Sequence, residues 1–246
     1  MPDRLNMAIL SGIHPVVEAL RGKRPLDRIL VAKGAGGPRL QEIIDLARQA
    51  SVPVRFEPRN SLDRLAGSPA HQGVVAMGAA QKYADIGQAA EGELVVVLDG
   101  VEDPHNLGAI IRTAHAAGAA SVVIPERRAA SVTDVVAKAA AGALEHLPVA
   151  RVTNINRTLE NLKERGFSIY GLDERGDQDY DRVDYGSPAA IVLGSEGKGL
   201  HEQVRKHCDA LVRIPMAGKI SSLNVSVAAG VVLFEWNRRR RASASA

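Results

Sequence analysis

Leu94-Val-Val-Val-Leu98 is an apolar run without a polar break, and Ala189-Ala-Ile-Val-Leu193 repeats the pattern far downstream. A strand with one wet face alternates apolar and polar side chains. A continuous apolar run belongs to a sheet covered on both faces, the habit of parallel strands with helices packed on either side. Around these two runs the chain alternates strand and helix. Further strands are expected at Ser121–Ile124, Ser168–Gly171 and Ala210–Ile214. Helices are expected at Leu107–Ala117, Thr133–Ala141, Ile155–Arg165, Leu200–His207 and Leu223–Arg240. That order predicts a parallel-sheet α/β domain over residues 93–241.

Upstream, residues 1–78 read as a smaller α/β unit. Helices are expected at Ile13–Leu20 and Leu40–Gln49 with a helical turn at Ser61–Ala66, and strands at Arg28–Ala32, Val52–Phe56 and Gly73–Met77. Residues 79–92 are small and polar with no sustained period and are expected to be a linker. Residues 242–246, Ala-Ser-Ala-Ser-Ala, have nothing to bury and are expected to be disordered.

Composition narrows the function classes. The chain has 246 residues, 46% hydrophobic and 24% charged, which is ordinary globular material. No apolar run reaches the roughly 20 residues that span a bilayer. The start, MPDRLNMAIL, lacks the basic stretch and long apolar core of a secretion signal. A cytoplasmic protein without a membrane partner is expected. The single cysteine, Cys208, rules out an internal disulfide and any multi-cysteine metal site, so no metal is expected. At 3% aromatic residues, base stacking on aromatic platforms is disfavoured. Arginine supplies 23 of the 31 basic residues, and residues 1–78 carry 11 basic against 7 acidic side chains. Arginine suits phosphate, because its planar fork pairs two oxygens at once. A GC-rich genome would raise arginine as well, so charge permits a nucleic-acid partner without establishing one.

In open parallel sheets ligands collect where loops leave the carboxyl ends of the strands. Three such loops stand out. The first, Asp99 to Arg112 (DGVEDPHNLGAIIR), offers Asn106 as a helix N-cap and places Arg112 early in a helix otherwise made of small and apolar residues. Arg112 on a solvated face and Arg112 at a site are both open readings. The second, Leu193-Gly-Ser-Glu-Gly-Lys-Gly-Leu200, fails both phosphate-loop patterns. It has too few residues before Gly-Lys and no Ser or Thr after it, and it does not follow the first strand. What remains is a glycine-rich loop that exposes backbone groups together with Glu196 and Lys198; three glycines in six residues exceed what a plain strand-to-helix turn needs. In the third, Ile214 to Gly230, Pro215 ends a strand, Ser221 or Ser222 can cap a long helix, and Asn224 and Ser226 stand among Val, Leu and Ala.

Taken together, D99GVEDPHNLGAIIRTAHAAG, I191VLGSEGKGL and I214PMAGKISSLNVSVAAGVVLFE resemble the three ordered motifs of the SpoU (TrmH-type) family, the RNA ribose 2′-O-methyltransferases, over nearly all of residues 93–240. GIHPVVEAL and HQGVVA in the N-terminal part are similar to the substrate-binding domain of that family's two-domain members, and the likeness is nearest to the bacterial 23S rRNA guanosine-2′-O-methyltransferases. The resemblance implies a SPOUT-type fold with a deep trefoil knot in the C-terminal domain. It implies S-adenosylmethionine held mainly by backbone groups of the second and third loops, at Leu193, Gly194, Gly197, Ile214, Met216 and Leu223. It implies a catalytic centre with Arg112, Asn106, Glu196 and Asn224, in a homodimer that brings the arginine loop across the interface. The expected reaction is methylation of a guanosine ribose 2′-hydroxyl in 23S rRNA. A tRNA ribose methyltransferase and a catalytically silent RNA-binding relative are the alternatives. The basic N-terminal domain is then the RNA docking surface, with Arg21, Lys23, Arg24, Arg28 and Arg39 as candidate phosphate contacts.

Overall fold

The computed structural model describes residues 7–79, 83–219 and 222–243. Its contacts divide into two compact units, Met1–Lys82 with Val132–His146, and Tyr83–Ser131 with Leu147–Ala246. The first unit therefore includes a segment from the middle of the chain.

In the first unit the order is β1 (Met7–Ser11), α1 (Ile13–Arg21), β2 (Leu26–Ala32), α2 (Pro38–Gln49), β3 (Val54–Glu57), α3 (Arg59–Ala66) and β4 (Val74–Ala79). The strands lie in the order β1-β4-β2-β3, and only β2 and β3 are parallel. Val16 and Leu20 of α1 and Ile43 and Ala47 of α2 pack on Ile29, Val31, Val74 and Ala76. On the opposite face Leu62 of α3 meets Leu30, Val75 and Met77. Strand β1 was not expected from the sequence: Met-Ala-Ile-Leu-Ser has no polar–apolar alternation, and its pairing with β4 makes it a strand.

The second unit contains α4 (Ile86–Ala89), β5 (Leu94–Asp99), α5 (Pro104–Ala116), β6 (Ser121–Pro125), β7 (Val149–Val152), α7 (Ile155–Glu164), β8 (Ser168–Leu172), β9 (Gln178–Asp179), β10 (Ala189–Gly194), α8 (Glu202–His207), β11 (Ala210–Arg213) and α9 (Val225–Ser243). Its seven strands are parallel in the order β7-β6-β5-β10-β8-β11-β9. All six residues of β5 and of β10 are buried, as a sheet covered on both faces demands. Ile155, Leu159 and Leu162 of α7 and Val204 of α8 close one core of this sheet, and α5 packs along α9. Register aligns the strand ends: Gly194 lies beside Asp99, and Leu193 beside Leu172. The loops after β5, β8 and β10 thus leave at one edge.

The helix α6 (Asp134–Ala140), with the 3-10 turn Ala143–Glu145 after it, lies between β6 and β7 in sequence yet groups with the first unit. Ala137 packs on the α1/α2 core, and the Ile9 N–H donates to Asp134 Oδ1 at 3.4 Å. Arg24 pairs with Glu145 at 2.9 Å, their side chains only 7% and 8% exposed. His146 contacts Glu18 at 2.7 Å; this hydrogen bond, with the charge of Arg21, holds the Glu18 carboxyl below the usual range. Gly142 runs so close to Glu18 that a Cβ would collide with its side chain. Arg24 is therefore corrected from a phosphate contact to a buried structural ion.

Residues 79–92 are not the free linker expected. β4 continues to Ala79, residues 80–82 lie outside the described residues, and Ala84 N donates to Val149 O at 2.8 Å. Ala89 and Ala90 then bury in the second unit's core, and Ser121 Oγ donates to Ala89 O. Small side chains are what let this strand of chain lie against the sheet edge. The tail is also shorter than expected. Ala242 and Ser243 continue α9, while 244–246 lie outside the described residues. Arg238 and Arg239 pair with Glu235, whose carboxyl is held down at about 2 by Arg238 foremost, and Arg240 pairs with Glu93. No described helix is long and apolar enough to cross a membrane.

Candidate functional site

The three loops singled out from the sequence meet, and three side chains tie them. Asn106 Nδ2 donates to Glu196 Oε1 at 2.5 Å, Asn224 Nδ2 donates to the same oxygen at 3.0 Å, and Asn224 Nδ2 also donates to Asn106 Oδ1 at 3.0 Å. One carboxylate thus collects an amide from each of the other two loops. Because Glu196 lies 90 residues from Asn106 and 28 from Asn224, this network exists only in the folded chain.

Local chemistry explains each placement. Asn106 was expected to cap α5, but that place belongs to Asp103, whose Oδ1 accepts from His105 N at 2.9 Å ahead of Pro104 at the first helical position. Asn106 sits one turn in, 7% exposed, and its freed side chain turns to Glu196. Asn224, rather than Ser221 or Ser222, caps α9: its Oδ1 accepts from Ser226 N at 2.9 Å and from Ser226 Oγ at 2.6 Å. Ser221 lies outside the described residues. The glycines of the second loop are each required. Ser195 and Gly199 exchange backbone hydrogen bonds at 3.1 and 3.0 Å and close the loop. Gly197 and Gly199 have φ of 76° and 66°, and a Cβ on Gly194 would overlap the Gly199 backbone.

Above this network opens a cavity of about 510 Å³, within the range of small-molecule sites. Leu193, Gly194, Gly197, Ile214, Met216 and Leu223 all line it, as do Glu196 and Asn224. Met216 and Leu223 are each 38% exposed, unlike the packed apolar residues below them, and leave an apolar wall that a flat aromatic ring would cover. The end of β8 contributes Leu172, Asp173, Glu174 and Arg175, none of which was singled out from the sequence. Asp173 is buried; burial works to raise its carboxyl, but hydrogen bonds from Arg175 and the charge of Arg205 bring it below the usual range. A smaller cavity of about 240 Å³, lined by Gly100, Val101, Glu102 and Asp103, shares Ser195, Glu196 and Lys198 with the first.

Another pair missed in the sequence is Asp99 and His201. Asp99 Oδ2 accepts from His201 N at 2.8 Å and Oδ1 contacts His201 Nδ1 at 2.9 Å, which fastens the end of β5 to the entry of α8. A lone Asp at a strand end followed by Gly is too common to signal this.

Arg112 is not brought to the cavity. It lies on the exposed face of α5, six residues beyond Asn106 and so well round the helix from it, with no hydrogen bond or ion pair among the described residues. In the first unit, Arg21 is paired with Glu18 and Glu42, and Arg39 contacts His14 Nε2 at 2.9 Å. Arg28 Nε donates to Met77 Sδ at 3.3 Å. Lys23 is exposed with a φ of 54°. Cys208 is half-buried, and burial pushes its thiol up to about 12.

Residues 93–234 match the SpoU rRNA methylase family, and residues 9–84 match the substrate-binding domain of RNA 2′-O ribose methyltransferases. YacO of Bacillus subtilis (strain 168), assigned to the TrmH family of tRNA/rRNA methyltransferases, is 46% identical over 236 residues, covering 93% of this chain and 94% of its own. The AdoMet-bound rRNA methyltransferase of Sinorhizobium meliloti superposes with a TM-score of 0.80 at 26% identity, covering 96% of this chain and 88% of its own. A TrmH/SpoU tRNA-modifying enzyme of A. aeolicus gives a TM-score of 0.57 at 29% identity and covers 65% of this chain and 82% of its own.

Proposed function

We propose that this chain, which belongs to the SpoU family of RNA methyltransferases and uses S-adenosylmethionine, methylates the ribose 2′-hydroxyl of a guanosine in 23S rRNA. The observation that carries this reading is the Asn106–Glu196–Asn224 network beneath a single cavity lined by all six expected cofactor residues. The choice of rRNA over tRNA rests on the N-terminal substrate-binding domain at residues 9–84, and the tRNA-modifying relative matches 65% of this chain.

When bound, S-adenosylmethionine supplies a methyl group on a cationic sulfur. Leu193, Ile214, Met216 and Leu223 provide the apolar slot for its adenine, and the closed 195–199 loop turns backbone groups to the same space. Glu196 and the two asparagines hold the loops rigid, so the rate gain from positioning is not lost to loop motion. Arg112 is always protonated and a poor base as it stands. Its role is to clamp the phosphate beside the target ribose and to stabilise the developing alkoxide, while the ribose proton leaves to that phosphate or to water.

Since Arg112 faces outward from its own chain, it serves the cavity of a second copy. Val227 and Phe234, a heptad apart on α9 and 53% and 50% exposed, supply the apolar contact that such a homodimer needs beside α5. The trefoil knot and the cytoplasmic location belong to the same reading. Arg21, Lys23, Arg28 and Arg39 are the phosphate contacts of the first unit, and Arg24 is no longer among them.

The test is methyl-labelled S-adenosylmethionine with unmodified 23S rRNA and, separately, unmodified bulk tRNA. Label in alkali-resistant dinucleotides of 23S rRNA that contain guanosine is the expected result. Label in tRNA alone overturns the substrate, and cofactor binding without label in either RNA favours a silent fold.

A further inference from the structure

S-Adenosylmethionine carries at the end opposite its adenine an α-amino acid, with one carboxylate and one ammonium. A cavity that prefers the whole cofactor over a bare adenine nucleoside must meet that zwitterion with charge. The charged residues on the wall of the large cavity are Asp173, Glu174, Arg175, Glu196 and Lys198. Two are already engaged: Glu196, whose Oε1 takes the amides of Asn106 and Asn224, and Asp173, which takes the guanidinium of Arg175. The cations that remain are Lys198 and the outer edge of Arg175.

Their settings differ. Arg175 is held from both ends. Its backbone N–H donates to Asp173 Oδ1 at 3.0 Å, its Nε to the same oxygen at 2.9 Å, and its Nη2 to Oδ2 at 3.1 Å. Asp173 is itself fixed, with a side chain 2% exposed and Arg205 Nε 3.3 Å behind it. Of the five guanidinium N–H groups, two are taken up by Asp173 and three stay free, on a side chain 55% exposed. A pre-oriented fork with a free edge is built for a second carboxylate. Lys198, by contrast, sits on the boundary between the two cavities and has no partner among the described residues to fix it.

We propose that Arg175, oriented by the buried Asp173, receives the carboxylate of the amino-acid tail of S-adenosylmethionine, with Glu174 next to it for the ammonium. The proposal rests on the reading that this cavity holds the cofactor, and it gives the β8 loop a role in cofactor selection that none of the three motif loops fills.

Calorimetric titration of the full-length protein with S-adenosylhomocysteine and with 5′-methylthioadenosine, which shares the nucleoside thioether but lacks the tail, tests it without reference to turnover. Wild-type protein is expected to bind the first more tightly. Arg175→Ala is expected to weaken S-adenosylhomocysteine about tenfold or more and to change 5′-methylthioadenosine less than about twofold. Arg175→Lys, which keeps the charge and loses the fork, is expected to fall between. Equal weakening of both ligands, or of neither, overturns the proposal, as does a selective loss in Lys198→Ala instead. Wild-type protein that binds neither ligand overturns the cavity reading and the proposal with it.

Discussion

Two polar clusters hold distant parts of this chain together, and they are built differently. Arg24 and Glu145 form a pair of full charges, each under 10% exposed, and both are consumed by it. In the Asn106–Glu196–Asn224 cluster one charge is shared by two neutral amides, and Glu196 and Asn224 stay exposed at a cavity wall. The first arrangement closes a domain; the second orders loops while leaving groups that can still face a ligand. Hydrogen bonding alone does not tell a functional cluster from a structural one. What tells them apart is whether polar capacity is left over and whether a cavity lies next to it.

Breaking the closed cluster should cost the most stability. Arg24→Ala leaves Glu145 buried and unpaired, which costs about 3–5 kcal/mol, whereas a double change to apolar residues of similar size should recover most of it. Amide hydrogen exchange checks the location: protection in 7–79 and in 132–146 should fall together, and β5 and β10 should keep theirs. If 132–146 exchanges with β5 instead, the division of the chain into these two units is wrong.

At the open cluster the effect should appear in turnover. Arg112→Ala is expected to lower methyl transfer about 10²–10³-fold, the scale for losing one preorganised transition-state donor, with S-adenosylhomocysteine affinity unchanged by calorimetry. Mixing Arg112→Ala with a Gly194→Val chain that cannot form the cavity should restore part of the activity if the arginine acts across a dimer. No recovery in mixed, refolded protein would place Arg112 in its own chain's site.

Asn224→Ala removes a helix cap and one of the amides on Glu196, a loss of about 1–3 kcal/mol in stability and a weaker hold on the loops. Urea unfolding followed by Trp236 fluorescence reads the stability, since that residue lies in α9. Smallest is a pH effect at the end of α9. Glu235 has a folded-state pKa of about 2 against an ordinary 4.5, so its stabilisation is full above 4.5 and fades as pH falls through 2. Wild-type protein and Glu235→Gln should therefore differ in thermal midpoint at pH 6 and converge toward pH 2.

Most helices and the inner strands were legible because burial writes a period into the sequence. The run Leu94–Leu98 could be nothing but an inner strand, and Leu40–Gln49 nothing but an amphipathic helix. Of the strands at sheet edges, β3 was legible as Val52–Phe56 and the others were not. β1, β7 and the two-residue β9 carry too few residues for a period, and pairing with a neighbour is what makes them strands. Caps were misplaced for a related reason. Asp103 and Asn106 both have capping side chains, as do Ser222 and Asn224, and the choice depends on which of them the fold recruits elsewhere.

Local chemistry determined the parallel sheet, the glycine demand of the 194–199 loop and the residue types at the three motif loops. These follow from backbone sterics and side-chain polarity over a few residues. Three outcomes depended on chain that is remote in sequence. Glu196 gathers Asn106 and Asn224, Asp173 and Arg175 reach the cavity from β8, and α6 joins the first unit through Arg24 and Glu145. The first and third are pairings of polar groups across a long loop, and their free energy depends on burial that exists only after the chain has closed; the second depends on the sheet register that sets the end of β8 beside β10.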